Sequence, residues 1–121
     1  PTHEKIFSAL IPTTPSILFT KESLHLDLML QSGASVLSVG SCIDLGQAKK
    51  RAPKMIFQGN VDNQILADGT KEEITQAVRK CFEQSGRKNH ILNLNHGLLE
   101  RTPFENVQHF VDVAKELGRV E

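Results

Sequence analysis

The sequence has 121 residues, 39% of them hydrophobic, with 14 Lys and Arg against 14 Asp and Glu and neither Trp nor Tyr. The length suits one modest domain, taken as residues 1–121, and the apolar share argues against disorder. A balanced charge gives no support to nucleic acid or an anionic membrane as the main partner, and the lack of Trp and Tyr argues against a base-stacking platform.

No apolar run approaches the ~20 residues that span a bilayer. The opening PTHEKIFSAL lacks the basic-then-apolar order of a secretory signal, so the expected location is cytoplasmic. Pro1 stands either at a true start from which Met has been removed or at the edge of a cut chain. Cys42 and Cys81 form no CxxC pattern and read as small buried hydrophobes in a reducing compartment.

After an N-terminal helix, Pro15 to Thr20 is a compact apolar run expected as a strand. Leu24 to Leu30 reads as a helix closed by Gly33. Val36 to Val39 is a second strand, and Asp44 can cap a helix from Leu45 to about Arg51, ending before Pro53. Met55 to Phe57 is a third strand. Thr70 and Glu73 then stand in capping-box spacing ahead of an apolar stripe of Ile74, Ala77, Val78, Cys81 and Phe82, which Gly86 ends. Ile91, Leu92 and Leu94 make a fourth strand. In the last helix Thr102 is expected as N-cap, Pro103 at the first helical position and Glu105 as the partner in a capping box. Its buried stripe is expected at Val107, Phe110, Val111, Ala114 and Leu117, with Gly118 as the stop.

Apolar strands alternating with amphipathic helices imply an α/β fold with a parallel sheet. Four such units suit either a small doubly wound sheet or half of an eight-stranded barrel, and periodicity does not choose between them. In both, ligands sit beyond the carboxyl ends of the strands. The groups there are Thr20-Lys21, Gly40-Ser41, Gln58-Gly59-Asn60 with Asp62, and Asn95-His96-Gly97. His96 beside Gly97 is the most suggestive, because glycine admits close backbone approach and imidazole exchanges protons near neutral pH. Gln58 and Asn60 suit a ligand contact or a turn equally. His3, His25, His90 and His109 lack partners at metal-ligand spacing and read as surface residues. Lys21 reads as a solvated lysine, and Lys49, Lys50 and Arg51 as cations suited to a helix C-terminus. Glycine-rich phosphate loops, HExxH and GxSxG are absent.

Two stretches carry a resemblance. Gln58 to Leu66 (QGNVDNQIL) resembles the QGNLDP segment of uroporphyrinogen decarboxylases, and Ile91 to Leu117 is similar to that family's NLGHG segment with its TPxxNV helix. Between strands, Gly33 to Arg51 resembles the stretch GADVxGLDWxxDLxxAR. The resemblance implies a (β/α)₈ (TIM) barrel, of which this chain is the C-terminal half. It further implies a carboxy-lyase in porphyrin and heme biosynthesis, removing the four acetate carboxylates of uroporphyrinogen III as CO₂ to give coproporphyrinogen III. No metal or organic cofactor is implied, and a homodimer is.

Under that resemblance His96 is the catalytic, substrate-contacting histidine, with Gln58 and Asn60 as substrate-binding residues. The family's carboxylate-binding arginines and pyrrole-binding aspartate belong to the barrel's first half, so the isolated fragment is expected to be inactive. Three departures stand out: Gly40-Ser41 replaces Asp-Trp, Asn63 replaces the Pro after QGNLD, and Asn95 replaces the first Gly of NLGHG. Zinc-dependent corrinoid methyltransferases are the enzyme rival, but their His-x-Cys element is missing after Ser16 to Phe19. The other alternative is a non-catalytic half-barrel that self-associates or completes a partner through its unpaired sheet edges.

Overall fold

The computed structural model describes residues 2–10 and 14–119. Its elements are α1 (Thr2–Leu10), β1 (Ile17–Phe19), α2 (Leu26–Leu30), β2 (Val36–Ser38), α3 (Leu45–Arg51), β3 (Ile56–Gln58), α4 (Asn63–Asp68), α5 (Lys71–Ser85), β4 (His90–Ile91) and α6 (Phe104–Leu117). The strands make one parallel sheet in the order β1-β2-β3-β4. This is the α/β arrangement expected from the alternation of strands and helices.

Strand geometry sends successive side chains to opposite faces, so register sorts the sheet into two surfaces. Leu18, Leu37, Phe57 and His90 fall in line on one face. The first three are buried and pack with Leu45 and Ala48 of α3 and Ile74 and Cys81 of α5, forming the core. The other face carries Ile17, Val36 and Ile56 in one row and Phe19, Ser38, Gln58 and Ile91 in the next. Ile17, Phe19 and Ile91 remain 51%, 49% and 42% exposed, so this second surface is apolar and uncovered at its flanks.

Helix signals were legible where side chains cap their own helix. Asp44 accepts from the Gln47 amide at 3.0 Å at the head of α3. Thr70 and Glu73 form the expected capping box on α5, the Glu73 amide donating to Thr70 Oγ1 at 3.1 Å. Ile74, Val78 and Cys81 of its stripe are buried, and Gly86 ends it with φ 67°.

Other expectations are corrected. The short helix α2 starts at Leu26, leaving Leu24 70% exposed. The fourth strand is His90–Ile91, and Leu94 adds only an isolated bridge to Val61. Helix α4 was not anticipated: Asp62 caps it by accepting from the Gln64 amide at 2.9 Å, a six-residue element too short to show periodicity. Cys42 is exposed, unlike the buried Cys81. His109 is half-buried, 2.8 Å from Thr75 Oγ1 and 3.0 Å from the Lys71 carbonyl.

The start of α6 is the clearest correction. Pro103, not Thr102, is the N-cap, in extended geometry and with no side-chain cap. Its carbonyl accepts from the Asn106 and Val107 amides. The helix head is tied down by Asn106, whose Nδ2 donates to the Leu66 carbonyl at 2.7 Å and the Gly69 carbonyl at 3.3 Å. Val107, Phe110, Ala114 and Leu117 of the expected stripe are half-buried, Val107 and Phe110 against the core, but Val111 is exposed and Val113 is the fully buried residue of the helix. Thr102 Oγ1 is buried and has no partner among the described residues. Thr102→Val removes that hydroxyl while keeping the shape, and is expected to raise stability by about 1 kcal/mol, seen as a higher urea midpoint. A fall of about 1 kcal/mol, the cost of a lost N-cap, would give the capping role back to Thr102.

Candidate active site

Four βα loops meet beyond the carboxyl ends of the strands. The loop after β1 carries Thr20, Lys21 and Glu22, with Thr20 Oγ1 donating to Met29 Sδ at 3.3 Å. The loop after β2 is Gly40-Ser41-Cys42. The loop after β3 runs through Gly59 and Asn60 into Asp62 and Asn63, and the loop after β4 carries Asn95, His96 and Gly97.

Glu22 joins three of these loops. Its Oε1 accepts from the Ser41 amide at 3.3 Å, from Ser41 Oγ at 3.2 Å and from Asn95 Nδ2 at 2.5 Å. Its Oε2 accepts from the Cys42 amide at 3.3 Å. Partial burial opposes ionisation, but the hydrogen bonds from Asn95, Ser41 and Cys42 outweigh it and hold the carboxyl below its ordinary value. Partial desolvation first, then the hydrogen bond to Glu22 and its charge, push the Cys42 thiol up.

The fourth loop enters through Asn95, which is 6% exposed. Its Oδ1 accepts from the Asn63 amide at 2.8 Å, and the Asn63 side chain donates to the Gly97 carbonyl at 2.9 Å. A buried amide with both ends engaged is costly to rearrange, so the backbone on either side of His96 is fixed. His96 itself is exposed, at the end of this scaffold. Its Nδ1 accepts from the Gly97 amide at 2.7 Å, which leaves the proton of the neutral ring on Nε2. Its ring meets Phe19 edge-on with centroids 5.8 Å apart. Lys21, Glu22, Ser41, Asn63, Asn95 and His96 line an open groove of about 510 Å³.

The three expected site residues take different places. His96 lines the groove. Gln58 stands in the row of Phe19, Ser38 and Ile91, on the face away from the helices, its Nε2 donating to Ser38 Oγ at 3.1 Å. Asn60 closes the turn: its Nδ2 donates to the Gly40 and Ile43 carbonyls at 3.0 and 2.6 Å, binding the β3 loop to the β2 loop. Gly59 precedes it with φ 122°, where a Cβ would come within 2.7 Å of the Val39 carbonyl, so no side chain fits.

Behind this turn lies a residue that was read as surface. His90 is half-buried, and its Nε2 donates to the Gly59 carbonyl at 2.6 Å. Burial lowers its pKa, the Gly59 bond opposes that, and Lys49 adds to the lowering, so the ring supports the turn in neutral form. Lys49 in turn donates to the Met55 carbonyl at 3.4 Å and lies 5.9 Å from the Phe57 ring centroid. Arg51 pairs with Asp27 at the surface. Among the described residues, no three His, Cys, Asp or Glu side chains group closely enough to hold a metal ion.

Residues 1–117 match the model of the uroporphyrinogen decarboxylase (URO-D) family. The chain belongs to that family. It is 41% identical over 109 residues to uroporphyrinogen decarboxylase of Nostoc punctiforme, an alignment covering 88% of this chain and 31% of that protein. It is 39% identical over 108 residues to the chloroplastic uroporphyrinogen decarboxylase 2 of Arabidopsis thaliana, covering 88% and 27%. With the enzyme of Prochlorococcus marinus strain MIT 9301 it shares 39% identity over 115 residues, covering 93% and 33%. The chain thus spans about a third of the length of the curated relatives it matches.

Within the family frame, the groove residues to which sequence reasoning assigned no role are Glu22, Ser41, Asn63 and Asn95. Three of the four lie at the departures from the family's motifs, and that was the signal available. A lone glutamate after a strand carried none.

Proposed function

We propose that this chain is the C-terminal half of a (β/α)₈ barrel, residues 1–121 forming four of its strand–helix units. The complete protein is a carboxy-lyase that removes the four acetate carboxylates of uroporphyrinogen III, giving coproporphyrinogen III in porphyrin and heme biosynthesis. The observation that carries the reading is a family histidine, His96, held by buried Asn95 at the carboxyl end of a parallel sheet beside an open polar groove.

The chemistry asks little of a prosthetic group. A pyrrole protonated on a ring carbon is its own electron sink, so CO₂ can leave without metal or organic cofactor. The protein's part is to hold an anionic macrocycle and place proton donors. His96, with a proton on Nε2, contacts the substrate and passes protons. Gln58 presents a carboxamide on the lumen side of the sheet, and Asn60 contributes by holding the turn between the β2 and β3 loops. Only Lys21 among the groove residues is cationic, so the arginines that bind the carboxylates come from the other half of the barrel. We take the working form to be a cytoplasmic homodimer without nucleic-acid or membrane partners. No described helix is long and apolar enough to cross a membrane.

The test is anaerobic incubation of the complete gene product with uroporphyrinogen III, followed by chromatography of the oxidised porphyrins. Stepwise appearance of species with seven to four carboxylates is expected. A folded protein that leaves the substrate untouched would refute the assignment.

A second reading is supported by the exposed Ile17, Phe19 and Ile91 on the uncovered face of the sheet. If the gene product is no longer than this chain, that face makes it a non-catalytic half-barrel that self-associates or completes a partner. Its intact mass from the native source separates the two.

A further inference from the structure

Glu22 reaches its partners across Gly40. A Cβ built on Gly40 would lie 2.4 Å from Glu22 Oε2 and 3.0 Å from Glu22 Cα. The carboxylate can rest there only because position 40 has no side chain. It then meets Ser41 and Asn95, and Asn95 meets Asn63. The departures from the family's motifs are therefore one connected structure: an empty position, the carboxylate lying over it, and the hydroxyl and amides that bind it.

We propose that Glu22 is a positioning residue, whose carboxylate, laid over Gly40, holds Asn95 and so sets where His96 stands in the groove. Asn95 is adjacent to His96 in the chain, and its amide is shared between Glu22 and the Asn63 backbone. Without the carboxylate, Asn95 Nδ2 keeps the Ser41 hydroxyl at 3.3 Å as acceptor, and that hydroxyl has itself lost Glu22. The β4 loop then loses its tie to the β1 loop, and the imidazole its fixed approach. Displacement of a reacting group by about 1 Å lowers turnover on the order of 100-fold.

The assignment rests on the decarboxylase reading, and the experiment separates the two. In the complete enzyme, Glu22→Gln keeps the size of the side chain and removes its charge, Gly40→Ala denies the carboxylate its place, and His96→Ala is the reference. Turnover and KM are measured for each, with the His96 ring resonances of the ligand-free protein assigned by their loss in His96→Ala. Expected are kcat values about 10- to 100-fold down in Glu22→Gln and Gly40→Ala, with KM changed less. The double variant should be no worse than the poorer single one, because both break the same contact. The His96 resonances should shift while those of His109, on α6, stay in place.

Wild-type turnover and unmoved His96 resonances in Glu22→Gln, with His96→Ala still impaired, would overturn the assignment and leave the decarboxylase reading standing. Shifted resonances together with wild-type turnover in His96→Ala would overturn the part of the reading that makes His96 catalytic, and the positioning role with it. If Gly40→Ala fails to fold, Glu22→Gln alone decides.

Discussion

His96→Ala in the complete enzyme is expected to lower kcat for decarboxylation by about 10²- to 10⁴-fold, the usual contribution of a positioned acid–base group. The fold should survive. His96 is exposed, and among the described residues its side chain hydrogen-bonds only to the neighbouring Gly97 amide. Removal of its edge contact with Phe19 costs no more than about 1 kcal/mol. A large loss of activity with the thermal midpoint nearly unmoved is the predicted signature. Wild-type rates would take His96 out of the mechanism, and parallel losses of activity and stability would make it a structural residue.

Phe57→Ala should behave in the opposite way. Phe57 is fully buried at the centre of the core face, between Leu37 and His90 in the sheet register. Truncation of such a phenylalanine costs about 3–5 kcal/mol, since the transfer energy is lost and a cavity is left among packed helices. For a domain of marginal stability that is most of what holds it folded. Denaturant midpoints should fall steeply, and activity should vanish with the folded population. A loss below about 1 kcal/mol would mean that the sheet and α5 collapse onto the vacated space.

The contrast between these two residues also explains what could be read in advance. Phe57 belongs to the short apolar run Met55 to Phe57, which reads as a strand from local sequence alone. The heads of α3 and α5 are local too, since Asp44 and Thr70 each accept from an amide three residues on. The head of α6 had the same letters, Thr-Pro-x-Glu, but Pro103 took the cap position itself and Asn106 anchored the helix to α4. That contact depends on a residue some forty positions away, which no local pattern encodes.

The site divides along the same line. His96 was legible as a motif residue beside a glycine. Asn60 was ambiguous between ligand and turn, and its bonds to two carbonyls 17 and 20 residues upstream, which no local pattern encodes, give it a part in the turn. Glu22 was invisible, because its significance depends on the absence of a side chain at Gly40 and on an amide 73 residues distant. His90 and His109 were read as surface residues because their burial comes from neighbouring elements, the turn at Gly59 and helix α5 respectively.

The strand order β1-β2-β3-β4 has a kinetic consequence. Every strand pairs with the one that follows it in sequence, so each addition closes a loop of a few tens of residues or fewer. Loop-closure entropy grows only with the logarithm of length, and contacts made between neighbours in sequence favour fast folding. The sheet can therefore grow by accretion, each unit templated by the strand before it, with no early commitment between distant parts of the chain. The tie between the first and last βα loops comes last, since the Glu22–Asn95 contact spans nearly the whole sheet. A chain caught part-way would already hold most of its core while its groove was still unmade.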